Sequence, residues 1–396
     1  MVQVRDLTEL KVRDLWREVK EDFWEEVSTE TLRLVRRLLE GSLEEEQVAH
    51  LQATWYQRSP DRRGYRNGYR RRNLLTRWGL LEGLRAPRDR GGSFQPQVLG
   101  RYQRRQDEVD VAVRELFLRG ISTRQVEAAV PPLMGEGISA QTVSRICRSL
   151  DNEVARYHRR PLVDAYRYLF LDGVTLKVKS PTGIKKRPLL CAYGITAGGT
   201  RELLSFRQAT AESEAQWEAF LRDLYERGLE GKGLRLVITD GCPGLHQALD
   251  TVYPYVERQR CWAHKLRNVA LKLPRKHQEA CLAGAKEIYQ ANTQREARAC
   301  FREWTTQWEP VVPKAVSCLE KDLDELLPFL NCPQTHWRKV RTTNAIERAF
   351  REVRRRTRPM SCFQNKESVD RIIYGVISHL NQAWKEKPLR EFTHNS

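Results

Sequence analysis

Apolar positions along the chain change their period several times, and each change marks an element. From Thr29 to Glu40, Leu32, Val35 and Leu39 recur on one helical face. Helical spacing returns after residue 106, where Val109, Ala112, Val113, Leu116 and Phe117 form a stripe that Gly120 ends. Ser122-Thr-Arg-Gln125 predicts a capping box opening a second helix, and Gly135-Glu-Gly-Ile-Ser139 leads into a third. In that third helix Val143, Ile146, Cys147 and Leu150 face inward, which leaves Gln141, Thr142, Ser144, Arg145 and Arg148 outside.

Residues 166–208 switch to strand periodicity. Val174, Leu176 and Val178 alternate with Thr175, Lys177 and Lys179, and two further strands, Leu189–Thr196 and Glu202–Gln208, flank Gly198-Gly199. An amphipathic helix follows over Glu212–Tyr225, with Trp217, Phe220, Leu221 and Leu224 on one face and a stop at Gly228. Leu234-Arg-Leu-Val-Ile-Thr-Asp240 then reads as a short buried strand. Residues 275–337 are helical throughout, with Cys281, Leu282, Ala285, Ile288 and Tyr289 on one stripe and a capping box at Thr293–Glu296. A third helix there centres on Leu319, Leu323, Leu326 and Leu327, and Trp304, Trp308 and Trp337 read as core. From Val340 to Arg358 Ile346, Phe350 and Val353 face a core, and Glu347, Arg351, Arg354 and Arg358 share the opposite face.

Charge adds a partner to this picture. The 396 residues carry 69 Lys+Arg against 51 Asp+Glu, a net charge of +18, and such a surplus in a folded chain asks for a polyanion. Hydrophobic content of 40% excludes a disordered basic tail. No run of apolar residues is long enough to span a membrane, and Met1-Val-Gln-Val-Arg-Asp-Leu-Thr8 lacks a signal-peptide core, so a cytoplasmic protein without membrane contact is expected. Nine cysteines without a Cys-x-x-Cys pair point to reduced thiols.

The surplus is segregated. Residues 1–50 hold 8 basic and 13 acidic side chains, which suits packing or self-association. Residues 57–105 hold 14 basic and three acidic ones. Here Arg62, Arg63, Arg66, Arg70, Arg71 and Arg72 interleave with Tyr65 and Tyr69, a composition for phosphate contact and stacking, or for a solvated basic loop. Asn67-Gly68 predicts a tight turn, and Arg77–Arg85 short strands. Residues 338–358 hold nine basic and two acidic side chains, where Arg351, Arg354, Arg355 and Arg358 would track a backbone. The three-helix pattern fits a helix-turn-helix, whose Gln141, Thr142 and Arg145 would read a groove, or equally a plain bundle.

Three carboxylates carry the candidate chemistry. An antiparallel meander followed by helix and strand is the order of a ribonuclease-H-like domain, which places its first and fourth strands side by side. Asp172 and Asp240 would then lie about 5 Å apart and repel unless they share a hard cation such as Mg²⁺. Each is also followed by glycine and fits a plain turn. Glu347 can bind metal at the head of its basic stripe; it can also close a capping box with Asn344 or pair with Arg351. Glu347 comes 107 positions after Asp240, too far for the helix, strand and helix that should finish such a sheet, so residues 275–337 read as an all-helical insertion.

Several motifs now fall in one order: Tyr65-Arg-Asn-Gly-Tyr69, Ala86-Pro-Arg-Asp-Arg90, Gln95-Pro-Gln-Val-Leu99 and Arg101-Tyr-Gln-Arg-Arg105. Gly120-Ile-Ser-Thr-Arg124, Thr142-Val-Ser-Arg145, Leu171-Asp172, Asp240-Gly-Cys-Pro-Gly244, Gln259-Arg-Cys-Trp-Ala-His264 and Thr342-Thr-Asn-Ala-Ile-Glu347 follow. In these the chain resembles the bacterial insertion-sequence transposases of the Mutator superfamily. The resemblance implies Asp172, Asp240 and Glu347 as catalytic and metal-binding carboxylates, and element-end binding by the helix-turn-helix. It implies a multidomain α/β protein: a helical region (1–55), a basic DNA-binding segment (56–105), a helix-turn-helix domain (106–160), and a ribonuclease-H-like domain (161–274 and 338–396) interrupted by the helical insertion (275–337). The expected reaction is strand cleavage and strand transfer on double-stranded DNA, at terminal inverted repeats and at a target, with two Mg²⁺ ions or Mn²⁺ in their place. Joining both ends asks for a homodimer. A transposase-derived DNA-binding protein without catalysis, and a nuclease that cuts without joining, fit the same residues. Cys261 and His264 match a family motif; they are expected to support the carboxylates from behind, with a zinc site completed by Cys332 and His336 as the other option. Cys242 is expected to pack.

Overall fold

The computed structural model describes residues 12–358 and 362–393. The first eleven residues of the expected self-association region 1–55 lie outside them. The chain divides into two compact units: one runs to Phe117 and takes in Ile121–Arg148, and the other comprises Leu118–Gly120 with Ser149 onward.

In the first unit, helix α1 (Val12–Leu51) buries Leu43, with Leu32, Val35 and Leu39 alongside, against Leu74, Leu81, Leu84 and Leu99. It thereby covers the hairpin β1 (Arg66–Thr76) and β2 (Gly79–Asp89). The turn predicted at Asn67-Gly68 is instead a β-bulge. Arg66 pairs with Asp89 and Tyr69 with Pro87, so two residues face one, and Gly68 takes φ 66° to admit the extra residue. The chain reverses at Arg77-Trp78, where Thr76 Oγ1 accepts Trp78 N–H at 3.2 Å. Four helices follow: α2 (Asp107–Leu118), α3 (Thr123–Ala129), α4 (Pro131–Met134) and α5 (Ala140–Cys147). The Ser122–Gln125 capping box forms, and Val109, Val113, Val126, Val143 and Ile146 are buried. The single turn of α4 fills the connection before α5.

The second unit begins its helices with α6 (Asp151–Arg159). The sequence groups these residues with the helix-turn-helix, yet Arg371 grips both oxygens of Asp151 (2.6 and 2.9 Å) and Tyr157 Oη donates to Leu203 O at 2.9 Å. Strands β3 (Tyr166–Ser180), β4 (Gly183–Thr196), β5 (Arg201–Gln208), β6 (Leu236–Thr239) and β7 (Glu257–Arg260) form one mixed sheet in the order β5-β4-β3-β6-β7. The first three are antiparallel neighbours; β6 runs parallel to β3, and β7 to β6. Helices α7 (Glu214–Glu226) and α8 (Pro243–Val252) bury Trp217, Phe220, Leu221, Leu245 and Leu249 on Leu169, Leu171, Leu190 and Val237. Each such side chain contributes about 1.5–3 kcal/mol.

After β7 the chain is helical, through α9 (Trp262–Ala270), α10 (Arg275–Gln290), α11 (Gln294–Trp308), α12 (Pro313–Glu320), α13 (Leu323–Leu326) and α14 (Trp337–Val340). Thr293 caps α11, Trp304 and Trp308 are buried, and the half-buried Trp337 donates to Cys332 O at 2.7 Å. Last come α15 (Asn344–Thr357), α16 (Lys366–Lys385) and α17 (Arg390–Thr393). Asn381 of α16 exchanges two hydrogen bonds with the Leu203 backbone, satisfying the free edge of β5. Among the described residues no helix is long and apolar enough to cross a membrane.

Candidate active site

Alternation along β3 turns Leu169 and Leu171 toward α7 and α8, so Tyr168, Phe170 and Asp172 face the other way. Asp172 is only 7% exposed, and β3 runs on past it to Ser180, so it is no turn residue. Leu171 pairs with Thr239 in parallel register. Asp172 and Asp240 are therefore the next residues on strands about 4.8 Å apart. Asp240 does head a turn: its Oδ1 accepts Cys242 N–H at 3.0 Å, and Gly241, at φ 91°, leaves room for the Arg260 side chain, which donates to Gly241 O at 3.1 Å. Burial and then the charge of Asp240 push the Asp172 carboxyl up to about 7. The Gly173 N–H bond (2.7 Å) and His264 oppose the rise, and Glu347 adds to it, so all of these groups share one neighbourhood.

Glu347 lies in the first turn of α15. The capping box with Asn344 that the sequence offers as the alternative is absent, because Thr343 occupies the N-cap position and Asn344 is already helical. Thr343 is fully buried, and its Oγ1 donates to Glu347 Oε1 at 3.1 Å. The same oxygen lies 3.3 Å from His264 Nδ1 and 3.3 Å from Cys261 Sγ, and Thr343 N–H also points at that sulfur from 3.3 Å. A hydroxyl has one proton to give, so a proton on His264 Nδ1 would satisfy the oxygen while its own goes to Glu347 or to sulfur. Cys261 is the N-cap residue of α9, and steps of three along that helix bring His264 and Arg267 to Glu347. His264 Nε2 stands 3.8 Å from Oε1 and Arg267 Nη2 3.9 Å from Oε2, so the ion-pair partners come from α9 and not from Arg351. The hydrogen bond with Cys261 raises the His264 pKa against the opposing effect of burial, helped by the charges of Cys261, Glu347 and Asp172. Burial alone would raise the Cys261 thiol; hydrogen bonds from His264 and Thr343 outweigh it and bring the pKa down.

Among the described residues no group of three or more His, Cys, Asp and Glu is assembled to hold a metal ion. The donor chemistry nevertheless fits a divalent hard cation. Asp172 and Asp240 are adjacent oxygen donors, one of them buried and held up by the other's charge, and Mg²⁺ is usually bound by one or two carboxylates with water and phosphate oxygens completing its shell. The two pairs that a zinc site would need do not meet: Cys261 and His264 engage Thr343, whereas His336 Nδ1 shares a hydrogen bond with Tyr168 Oη at 2.8 Å. Cys242 packs against the core, its Sγ 3.7 Å from Glu212 O.

The arginines singled out by sequence divide by surroundings. Arg66 donates to Ala53 O and Thr54 O, Arg72 to the carbonyls of Gly100, Arg101 and Gln103, and Arg62 to Gly64 O, all tying down loops. Arg63, Arg70 and Arg71 are exposed, as are Arg351, Arg354, Arg355 and Arg358; Arg355 pairs with Glu352 at 3.0 Å. On α5, Gln141 and Arg145 are exposed and Thr142 is half-buried. The sequence reading missed a groove of about 730 Å³ beside the start of α15, lined by Arg201, Arg267, Lys286, Arg338, Arg341 and Arg348. Arg338, Arg341 and Arg348 belong to the basic run 338–358, but Arg201, Arg267 and Lys286 come from β5, α9 and α10, which only the fold brings to it.

Two neighbouring strands, one carrying a carboxylate and the other followed by one, with a glutamate on an arginine-rich helix near them, define an α/β protein with an acidic centre beside a groove of cations. The sequence profile described as "Transposase, Mutator family" matches residues 9–387, and the chain belongs to that family. It is 35% identical over 353 residues to the transposase for insertion sequence element ISRM5 of Rhizobium meliloti (strain 1021), covering 89% of this chain and 88% of that one. It is 33% identical to the transposase for IS256 in transposon Tn4001 of Staphylococcus aureus, covering 86% and 87%. With the transposase for IS406 of Burkholderia multivorans (strain ATCC 17616 / 249) identity is 35%, covering 88% and 90%. Among solved structures, the Drosophila P element transposase strand transfer complex aligns at 11% identity over 72% of this chain and 89% of that one, with a TM-score of 0.30, too slight a likeness to bear on the fold.

Proposed function

We propose that the chain is a metal-dependent DNA transposase that binds the terminal inverted repeats of an insertion sequence, cleaves a strand there and transfers it to a new phosphate. The observation that carries this reading is the placing of Asp172 and Asp240 side by side on neighbouring strands, with Glu347 near enough to raise the Asp172 carboxyl, in a chain that belongs to the transposase family. The strand order of the sheet and the helices between Arg260 and Asn344 support a ribonuclease-H-like domain with a helical insertion. Asp172 and Asp240 would hold the cation, with Glu347 brought to it by α15. A bound divalent cation supplies electrostatic stabilisation of the attacking and leaving oxygens. The arginine-lined groove beside α15, and the exposed arginines of β1 and α15, would hold the phosphate backbone with salt-sensitive affinity. Gln141, Thr142 and Arg145 would read the repeat. Joining two ends together would take at least two copies of the chain.

The deciding experiment incubates the full chain with DNA bearing the element's terminal repeats, with and without Mg²⁺, and resolves nicked and joined products. Both products are expected, and only with metal. Binding without metal-dependent cleavage would overturn the transposase reading, and cleavage without joining would replace it with a nuclease.

A further inference from the structure

Helix α1 carries two apolar stripes and packs only one of them. Leu32, Val35 and Leu39 lie against the hairpin beside the buried Leu43. The second stripe, about a third of a turn round the helix, runs through Trp24, Val27, Thr31, Leu34, Leu38 and Gly41 at alternating steps of three and four, the spacing of a coiled-coil seam. It faces solvent: Trp24, Leu34 and Leu38 are 56, 54 and 62% exposed. Thr31 suits such a seam, because its hydroxyl is already satisfied by Val27 O at 2.7 Å. Gly41 is the oddity. Glycine is the poorest helix former after proline, and a Cβ here would meet nothing within 4 Å, so no neighbour in the same chain requires its absence.

A second copy of the helix, turned end for end, supplies that neighbour. With Thr31 set opposite Leu34, the layers along the seam become Trp24 on Gly41, Val27 on Leu38 and Thr31 on Leu34, each formed twice about a two-fold axis. The largest side chain of the stripe thus falls on the position with none, the pairing of large with small that fills a seam. The flanking charges agree. The exposed Glu30 and Arg37, each one position before a seam residue, come together across the same axis, although Glu30 also pairs with Arg33 of its own helix. Parallel pairing in register would instead set Trp24 on Trp24 and Gly41 on Gly41.

We propose that this stripe of α1 is a dimer surface, on which a second copy of the chain lies antiparallel with Trp24 over Gly41. The inference goes beyond the proposed reaction: it names where two copies meet, and it is tested without DNA or metal, so failure of either reading leaves the other standing.

The test is sedimentation equilibrium of the full chain over a range of concentrations. Wild type is expected to dimerise with a dissociation constant on the order of micromolar. Leu34→Glu, which places like charges at the centre of the seam, is expected to weaken dimerisation at least about a hundredfold. Gly41→Leu is expected to weaken it about tenfold with no loss in thermal midpoint, since leucine favours the helix and clashes only with the second copy. Glu30→Arg and Arg37→Glu should each weaken it about fivefold, and the double variant should recover wild-type affinity, because opposite charges then face each other again. A chain that is monomeric throughout, or a dimer that both Leu34→Glu and Gly41→Leu leave unchanged, would overturn the assignment. A charge-reversed double variant as weak as the single ones would overturn the antiparallel register.

Discussion

Asp172 and Asp240 are placed by backbone, and Glu347 by side chains. The aspartates follow paired residues of two hydrogen-bonded strands, Leu171 and Thr239, so their separation is set by sheet spacing and by a turn that only Gly241 permits. The glutamate owes its position to one buried threonine and three α9 residues, Cys261, His264 and Arg267. Strand register is cooperative and hard to perturb by one substitution, whereas a side-chain junction fails when a single hydroxyl is lost. The sheet half is therefore a fixed reference, and the helix half is where the site can be adjusted.

The largest expected effect treats the halves alike. Asp172→Asn, Asp240→Asn and Glu347→Gln should each lower metal-dependent DNA cleavage at least about a hundredfold at unchanged far-ultraviolet circular dichroism; near-normal cleavage by any one removes that residue from the site. The halves separate at Thr343. Thr343→Val keeps the shape but loses the hydroxyl, and should cost roughly ten- to a hundredfold in cleavage, while Thr343→Ser should restore most of it. If valine and serine behave alike, the junction is packing and the contrast collapses.

Stability sharpens the contrast from the sheet side. Asp172 titrates near 7 when folded against an ordinary 3.8, so the folded state keeps a proton that the unfolded chain releases, and the ionised carboxylate costs stability increasingly as pH rises through that window. Asp172→Asn should accordingly be more stable than wild type at pH 8, by on the order of 2 kcal/mol in urea unfolding, with the difference gone near pH 3. A difference that does not vary with pH would show that the raised carboxyl is not its source. The smallest effect is expected at Arg267. That side chain is 60% exposed and 3.9 Å from Glu347, so Arg267→Ala should change cleavage no more than about fivefold, most visibly at low salt.

Much of this was legible in the sequence where burial imposes a period. The alternation from Val174 to Val178 and the stripe Trp217, Phe220, Leu221, Leu224 match the burial found in β3 and α7. Strand β4 begins six residues before the Leu189 expected, because Gly183–Lys186 are exposed and held only by pairing with Val178–Ser180 and their neighbours, which leaves no apolar signature. Asn67-Gly68 misled because a left-handed glycine suits a bulge as well as a hairpin turn. The carboxylates stood out by residue type and element order. Thr343 did not, since a threonine at a helix start looks alike wherever it occurs, and only the fold brings it to Cys261, His264 and Glu347.

The step of 107 positions from Asp240 to Glu347 also orders events in time. Synthesis delivers all five strands of the larger sheet, through Arg260, before the helix bearing Glu347 exists. A growing chain can close its sheet and pair its two aspartates, yet it lacks the third carboxylate until the intervening helices have been made. On the proposed reading, a polypeptide able to cut DNA is assembled with its cutting centre incomplete until late in its own synthesis, and a product that stops within those helices lacks both Glu347 and the C-terminal residues, Trp384 and Phe392, that cover Tyr193 and Tyr168 on the sheet.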